Sequence, residues 1–323
     1  MTSRMTMLSI LRWSAAASLI LLLTGCVQPA APSSTAHSGP GPTVLAAETF
    51  LADIAQNVAG DRTQVASLIP IGVDPHGFQP TPADVRKVAD SQVLIINGAG
   101  FEEFLDDLLR NAGGERIIIE AAAGLKPRAA TTAEDDHQAE QGTGHEHEID
   151  PHFWLDPISV ITYVENIRDG LSRADPAGQE VYARNAAAYI GRLRELDRWI
   201  VEQVGQIPEP NRKLITNHES FGYFADRYGF TVIGAIIPSV SAGAAPSARE
   251  LAALADQVKQ ASVKAIFLET GSNPQLARQL AEEAGIKTIT ELYTHSITGA
   301  GGVAPTYLDM MRYNVRTIVE ALR

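Results

Sequence analysis

Between Thr43 and Arg323 short apolar runs alternate with amphipathic stretches. "TVLAAET", "TQVASLIP", "SQVLIIN" and "RIIIE" predict strands, and the intervening segments 50–59, 82–90 and 101–112 space their apolar residues for helices. After Pro208 the same rhythm returns: "KLIT", "FTVIGAI", "VKAIFLE" and "IKTIT" predict strands, with helices near 219–227, 247–261, 273–285 and 304–322. This alternation predicts an α/β protein of two lobes, each a mainly parallel sheet flanked by helices. Between them Tyr182, Ala186, Tyr189, Leu193, Leu196, Ile200 and Val204 recur at steps of three and four, which predicts one long amphipathic helix over 176–206. At about 1.5 Å per residue such a helix extends roughly 45 Å, enough to join and brace an N-terminal lobe (43–175) and a C-terminal lobe (207–323) and to limit hinge opening.

Three segments break the pattern. Residues 121–150 are polar, charged and nearly without large apolar groups, so a mobile loop is expected inside the first lobe. At the amino end Arg4 and Arg12 accompany "SAAASLILLL", an apolar run too short to span a bilayer comfortably, and 1–25 reads as an export signal. Its end, "LTGC", is similar to the lipobox of bacterial lipoproteins, which implies that Cys26 becomes the lipidated first residue. It is the chain's one cysteine, so no disulfide partner competes for it. Residues 26–42, rich in Pro, Ser, Ala and Gly, then read as a flexible tether.

Composition fits a folded core, with 45% hydrophobic residues and a net charge of −12. Loss of 1–25 removes two arginines and no acids, leaving 24 basic against 38 acidic side chains, a balance of −14. Nucleic acid is therefore not expected as a partner, whereas a cation meets a favourable field.

The chain has eight histidines. His37 lies in the tether, and His137, His145 and His147 lie in the polar loop among Glu134, Asp135, Asp136, Glu146 and Glu148, a composition suited to loose collection of metal ions. The other four, His76, His152, His218 and His295, follow strands or end the loop, the edge where ligands bind in open α/β sheets. Their separations of 76, 66 and 77 residues exclude a zinc finger, so a shared site has to be built by the tertiary fold. His76 and His152 each follow Asp-Pro, a stiffened turn. Asp156-Pro157 reads as the start of the next helix, and Ser247 to Glu250 as a capping box.

The segments "LADIAQNVAGD" (51–61), "DPHGFQPTPADV" (74–85), "HFWLDP" (152–157), "TNHESFGYFADRYG" (216–229) and "LYTHSITGAGGVAPTYLDMMRYN" (292–314), in this order, resemble the cluster A-I substrate-binding proteins of zinc and manganese ABC transporters. The resemblance covers about residues 43 to 323. It implies that His76, His152 and His218 are metal ligands, and that the protein works outside the cytoplasm as a monomer, held to the membrane by its lipid and handing the ion to an ABC permease. The family's usual fourth ligand is an aspartate; here His295 stands in its place, with Glu269 as the alternative. A shell of four imidazoles lacks the hard carboxylate that manganese favours, which tilts the expectation to Zn²⁺ over Mn²⁺. An enzyme is not expected. A zinc hydrolase would need an open metal position and a base such as Glu219 or Glu269, and no "HExxH" occurs.

Overall fold

The computed structural model describes residues 41–129, 149–237, 246–270, 274–286 and 288–323. The signal segment, Cys26 and the loop histidines His137, His145 and His147 lie outside the described residues. Strands β1 (Val44–Ala46), β2 (Val65–Ser67), β3 (Val93–Ile96) and β4 (Ile117–Glu120) form a parallel sheet in the order β2-β1-β3-β4. Val44 faces Val65 and Val93, and Val93 faces Ile117 in register. The central strands β1 and β3 are buried along their whole length, which is why they read as continuous apolar runs.

Helices α1 (Thr49–Ala59), α2 (Pro82–Ala89) and α3 (Leu105–Ala112) accompany this sheet. Thr81 and Asp84 cap α2 reciprocally. The predicted helix over 101–112 starts four residues late, because its first turn is drawn into tertiary contacts. Phe101 is buried, and Glu102 accepts hydrogen bonds from the backbone N–H groups of Asn97 and Gly98 at 2.5 and 3.1 Å.

The segment expected as a loop over 121–150 begins later, since Ala121 and Ala122 are buried in the core, and a short antiparallel pair follows, β5 (Arg128–Ala129) with β6 (Ile149–Asp150). Helix α4 (Ser159–Ala174) follows, with Asp156 accepting from the Ile158 N–H and the Ser159 hydroxyl, both at 2.9 Å. The long helix α5 (Gln179–Val204) begins after a 3-10 turn at Pro176–Gly178 and buries the seven residues whose spacing predicted it. Its 26 residues give a length of about 39 Å. It packs on α1, α4 and α9 (Tyr307–Leu322), so the largest core cluster runs through α5 and takes in residues of both halves of the chain.

The second half holds β7 (Lys213–Thr216) paired in parallel with β8 (Thr231–Ala235), and β9 (Ala265–Glu269) paired in parallel with β10 (Thr288–Leu292). Strand β7 runs beside β9. Helices α6 (Gly222–Tyr228), α7 (Ala248–Ala261) and α8 (Pro274–Ala284) complete it, α7 opening on the Ser247–Glu250 capping box. The fold is thus α/β, with parallel strands and flanking helices on either side of one long helix. Among the described residues no helix is long and apolar enough to cross a membrane.

Candidate metal centre

The four histidines separated by 76, 66 and 77 residues in sequence converge. One ring nitrogen from each of His76, His152, His218 and His295 lies within 4.8 Å of the other three. His76 sits in a 3-10 turn, Pro75–Gly77, in the connection from β2 to α2. His152 follows β6, His218 follows β7 and His295 follows β10. In both Asp-Pro-His tripeptides the aspartate side chain accepts the histidine's own backbone N–H, Asp74 from His76 at 3.0 Å and Asp150 from His152 at 3.0 Å. Proline fixes the extended residue before it and the carboxylate closes the turn. Each imidazole therefore leaves a rigid corner.

The Nε2 atom of His152 lies 3.2 Å from Nε2 of His218 and 3.3 Å from Nε2 of His295. A tetrahedron of nitrogens bonded to zinc at about 2.0–2.1 Å has edges of roughly 3.3 Å. Nε2 of His76 is buried and has no hydrogen-bond partner among the described residues, the state of a lone pair kept for a ligand.

The opposite ring nitrogens are held from behind. His152 Nδ1 lies 2.9 Å from Asp150 Oδ1, and since the carboxylate can only accept, Nδ1 carries the hydrogen and Nε2 presents its lone pair. His218 Nδ1 lies 2.6 Å from Glu269 Oε1, a close charge contact whose angle is not that of an aligned hydrogen bond. The other oxygen of Glu269 accepts from the Thr294 hydroxyl at 2.6 Å, so Thr294 Oγ1 is left to accept from His295 Nδ1 at 3.2 Å. Glu269, the expected alternative to His295, thus stands behind two imidazoles instead of among the four nitrogens. Glu219 is half-buried and likewise outside the group. Phe101 meets His76 at right angles with ring centroids 5.1 Å apart and packs at a tilt against Trp154 at 4.8 Å, giving the centre an apolar wall. Trp154 in turn donates to the Thr294 carbonyl at 2.6 Å, tying the His152 segment to that of His295.

Burial separates the four electrostatically. His152 and His218 are 0% exposed and His295 is 8% exposed, while His76 keeps some contact with solvent. Burial, helped by its positive-going neighbours His152 and His218, holds His76 far below its ordinary pKa. Burial lowers His152 despite Asp150, and lowers His295 strongly, with His218 adding to the effect. His218 moves the other way: burial pulls it down, but the Glu269 carboxylate, joined by Asp74 and Asp150, more than offsets this and raises it. Glu269 resists the upward pull of its own burial through His218 and stays below its ordinary value. The charged form is thus disfavoured at His76, His152 and His295 and favoured at His218.

Sequence reasoning found the four histidines but gave Asp150 only a turn role and did not single out Thr294. The repeated Asp-Pro-His tripeptide was the available signal for Asp150. Thr294 carried none, because its role depends on the pairing of β9 with β10.

Two α/β halves around one helix, with buried imidazoles converging from strand ends of both, define a metal-binding solute-binding protein of the kind that serves ABC transporters. Residues 44–321 match the family described as zinc-uptake complex component A, periplasmic (ZnuA), and the chain belongs to that family. It is 34% identical over 304 residues to the manganese-binding lipoprotein MntA of Halalkalibacterium halodurans, covering 94% of this chain and 95% of that one. It is 31% identical over 280 residues to the zinc-binding protein AdcA of Streptococcus pyogenes, covering 82% of this chain but 53% of AdcA, so it spans about half of that relative's length. Among solved structures, the periplasmic zinc-binding protein TroA of Treponema pallidum superposes with a TM-score of 0.75 at 26% identity, over 87% of this chain and 99% of TroA. A manganese-bound periplasmic metal-binding protein from Candidatus Liberibacter asiaticus gives 0.75 at 28%, over 87% of this chain and 100% of that one.

Proposed function

We propose that this protein captures Zn²⁺ outside the cytoplasm through His76, His152, His218 and His295 and delivers it to an ABC permease. The observation that carries this reading is the spacing of the Nε2 atoms of His152, His218 and His295, 3.2 and 3.3 Å, which suits a small ion bound tetrahedrally. Neutral imidazoles favour zinc over a hard ion, and among the described residues no carboxylate oxygen belongs to the group. The dipositive charge is balanced from a distance by Asp150 and Glu269, behind the rings.

Manganese is the second reading, favoured by the likeness to MntA. Competition titrations of the metal-free protein with Zn²⁺ and Mn²⁺ against a chromophoric chelator separate the two. Zinc binding tighter by two or more orders of magnitude supports the reading, and equal or reversed affinities refute it.

The proposed organisation is an N-terminal lobe over 43–175 and a C-terminal lobe over 207–323, hinged weakly about the helix at 176–206. Cys26, once lipidated, anchors the monomer to the membrane after removal of 1–25. The loop carrying His137, His145 and His147 collects ions at low affinity and passes them inward. Deleting 131–148 is expected to abolish weak extra binding and leave one tight site.

A further inference from the structure

The segment that carries the loop histidines joins the fold through β5 and β6, where Arg128 pairs across the ladder with Asp150. Asp150 is the carboxylate behind His152, 3% exposed, and its Oδ1 accepts from both the backbone N–H and the ring of His152 at 3.0 and 2.9 Å. Its other oxygen, Oδ2, faces Nη1 of Arg128 at 3.6 Å. The guanidinium is fixed on its far side by Asp226 of α6, with Nε 2.7 Å and Nη2 3.5 Å from the carboxylate oxygens. The backbone N–H of Arg128 donates to the Tyr223 hydroxyl at 2.9 Å, and that hydroxyl donates to the Asp150 carbonyl at 2.7 Å. Asp150 is therefore held at its carbonyl by Tyr223 and at its side chain by Arg128, and the two are themselves joined through the Arg128 N–H.

Room for this arrangement comes from Gly222. A Cβ there would stand 1.7 Å from Nη1 of Arg128 and 2.7 Å from Oδ2 of Asp150. No side chain fits while the guanidinium stays in place.

We propose that Arg128 is a positioning residue of the metal centre: seated in the Gly222 notch, it pins Oδ2 of Asp150 so that Oδ1 fixes the tautomer and direction of His152. This rests on His152 being a ligand. A carboxylate free to turn about its last bond would share its oxygens between the His152 backbone and solvent, and would leave the ring free to carry its hydrogen on either nitrogen. With the hydrogen on Nε2, His152 cannot ligate through the nitrogen that faces the other three rings. The stem of the loop thereby connects to the centre without contributing an atom to it.

The test compares the full-length wild type with Arg128→Met, Arg128→Lys and Gly222→Ala, the last displacing the guanidinium without deleting its charge. Long-range ¹H–¹⁵N spectra of the metal-free, chelator-stripped proteins read the His152 tautomer, and competition titrations read zinc affinity. The expected result is a single Nδ1–H tautomer in the wild type and in Arg128→Lys. Arg128→Met and Gly222→Ala are expected to show a mixture and an affinity lower by about tenfold, the lower end of the effect of removing an outer-shell partner. A wild-type tautomer in Arg128→Met, whatever its affinity, overturns the proposal, as does a mixed tautomer with undiminished affinity. Should Gly222→Ala fail to fold, Arg128→Met decides alone, since it replaces a side chain 30% exposed. The tautomer is read without metal, so its outcome is independent of the ligand assignment, which zinc titration of His152→Ala tests separately.

Discussion

Lowering the pH should weaken metal binding through one proton, not four. His76, His152 and His295 are held below the ordinary histidine pKa by burial, so they remain neutral as the pH passes about 6.5. His218 is raised, chiefly by Glu269, so of the four it keeps a proton to the highest pH and is the one whose proton competes most with the ion. A single displaced proton costs about tenfold in apparent affinity per pH unit below the His218 pKa, or about 1.4 kcal/mol. Four ordinary imidazoles titrating together would cost up to about 10⁴ per unit below 6.5. Chelator competition from pH 8 to 5.5, with zinc calorimetry in buffers of different ionisation enthalpy, measures the slope and the proton count directly. The expected slope is near one and begins above pH 6.5. In Glu269→Gln the carboxylate that raises His218 is gone, so the plateau at pH 8 falls by about 10–100-fold while the slope between pH 7 and 6 flattens. A wild-type slope of three or four, or a slope unchanged in Glu269→Gln, refutes this reasoning.

Four further substitutions have defined outcomes, three at the metal centre and one at a buried carboxyl pair. His295→Ala should lose about two orders of magnitude in zinc affinity, since four ligands sharing the roughly 10–16 kcal/mol of a structural zinc site contribute about 3 kcal/mol each; His295→Asp, restoring a hard donor, should move the zinc-to-manganese ratio towards manganese by about tenfold, read by the same titration. Asp150→Asn should cost about 10–100-fold in zinc affinity with little change in thermal stability of the metal-free protein, checked by calorimetry. Glu48 and Glu102 form a buried pair whose carboxyls are both raised by burial, Glu48 also by the charge of Glu102. The folded state then binds more protons than the unfolded one above about pH 4.5, so this pair's stabilisation is present in acid and is lost as the pH rises through the folded pKa. Glu48→Gln should accordingly narrow the difference in melting temperature between pH 5.5 and 8, and an unchanged difference would contradict the assignment.

How far the chain could be read without its structure depended on whether a feature was local. Strands β1, β3 and β9 are buried on both faces, and helix α5 buries one continuous stripe, so their composition and spacing expose them directly. The helix expected from residue 101 begins at Leu105 because Phe101 and Glu102 answer to the neighbouring strand end and the metal centre, contacts that a periodic pattern does not contain. The four histidines were legible as a group, since strand ends are where such a fold gathers ligands. The division of labour behind them was not. Glu269 ends a strand and could equally have faced the ion; only the pairing of β9 with β10 and the placement of Thr294 turn it to the Nδ1 side. Arg128 gave no local signal, because its partners Asp150, Gly222 and Asp226 lie 22 to 98 residues away.

The most direct test of the account is a crystal structure of the zinc-loaded protein. It should show one ion with four imidazole nitrogens at about 2.0–2.1 Å, from His76, His152, His218 and His295, with Glu269 and Asp150 still on the Nδ1 side of their rings. An ion that takes an oxygen of Glu269 or a water in place of His295, or that binds away from these four residues, would contradict it.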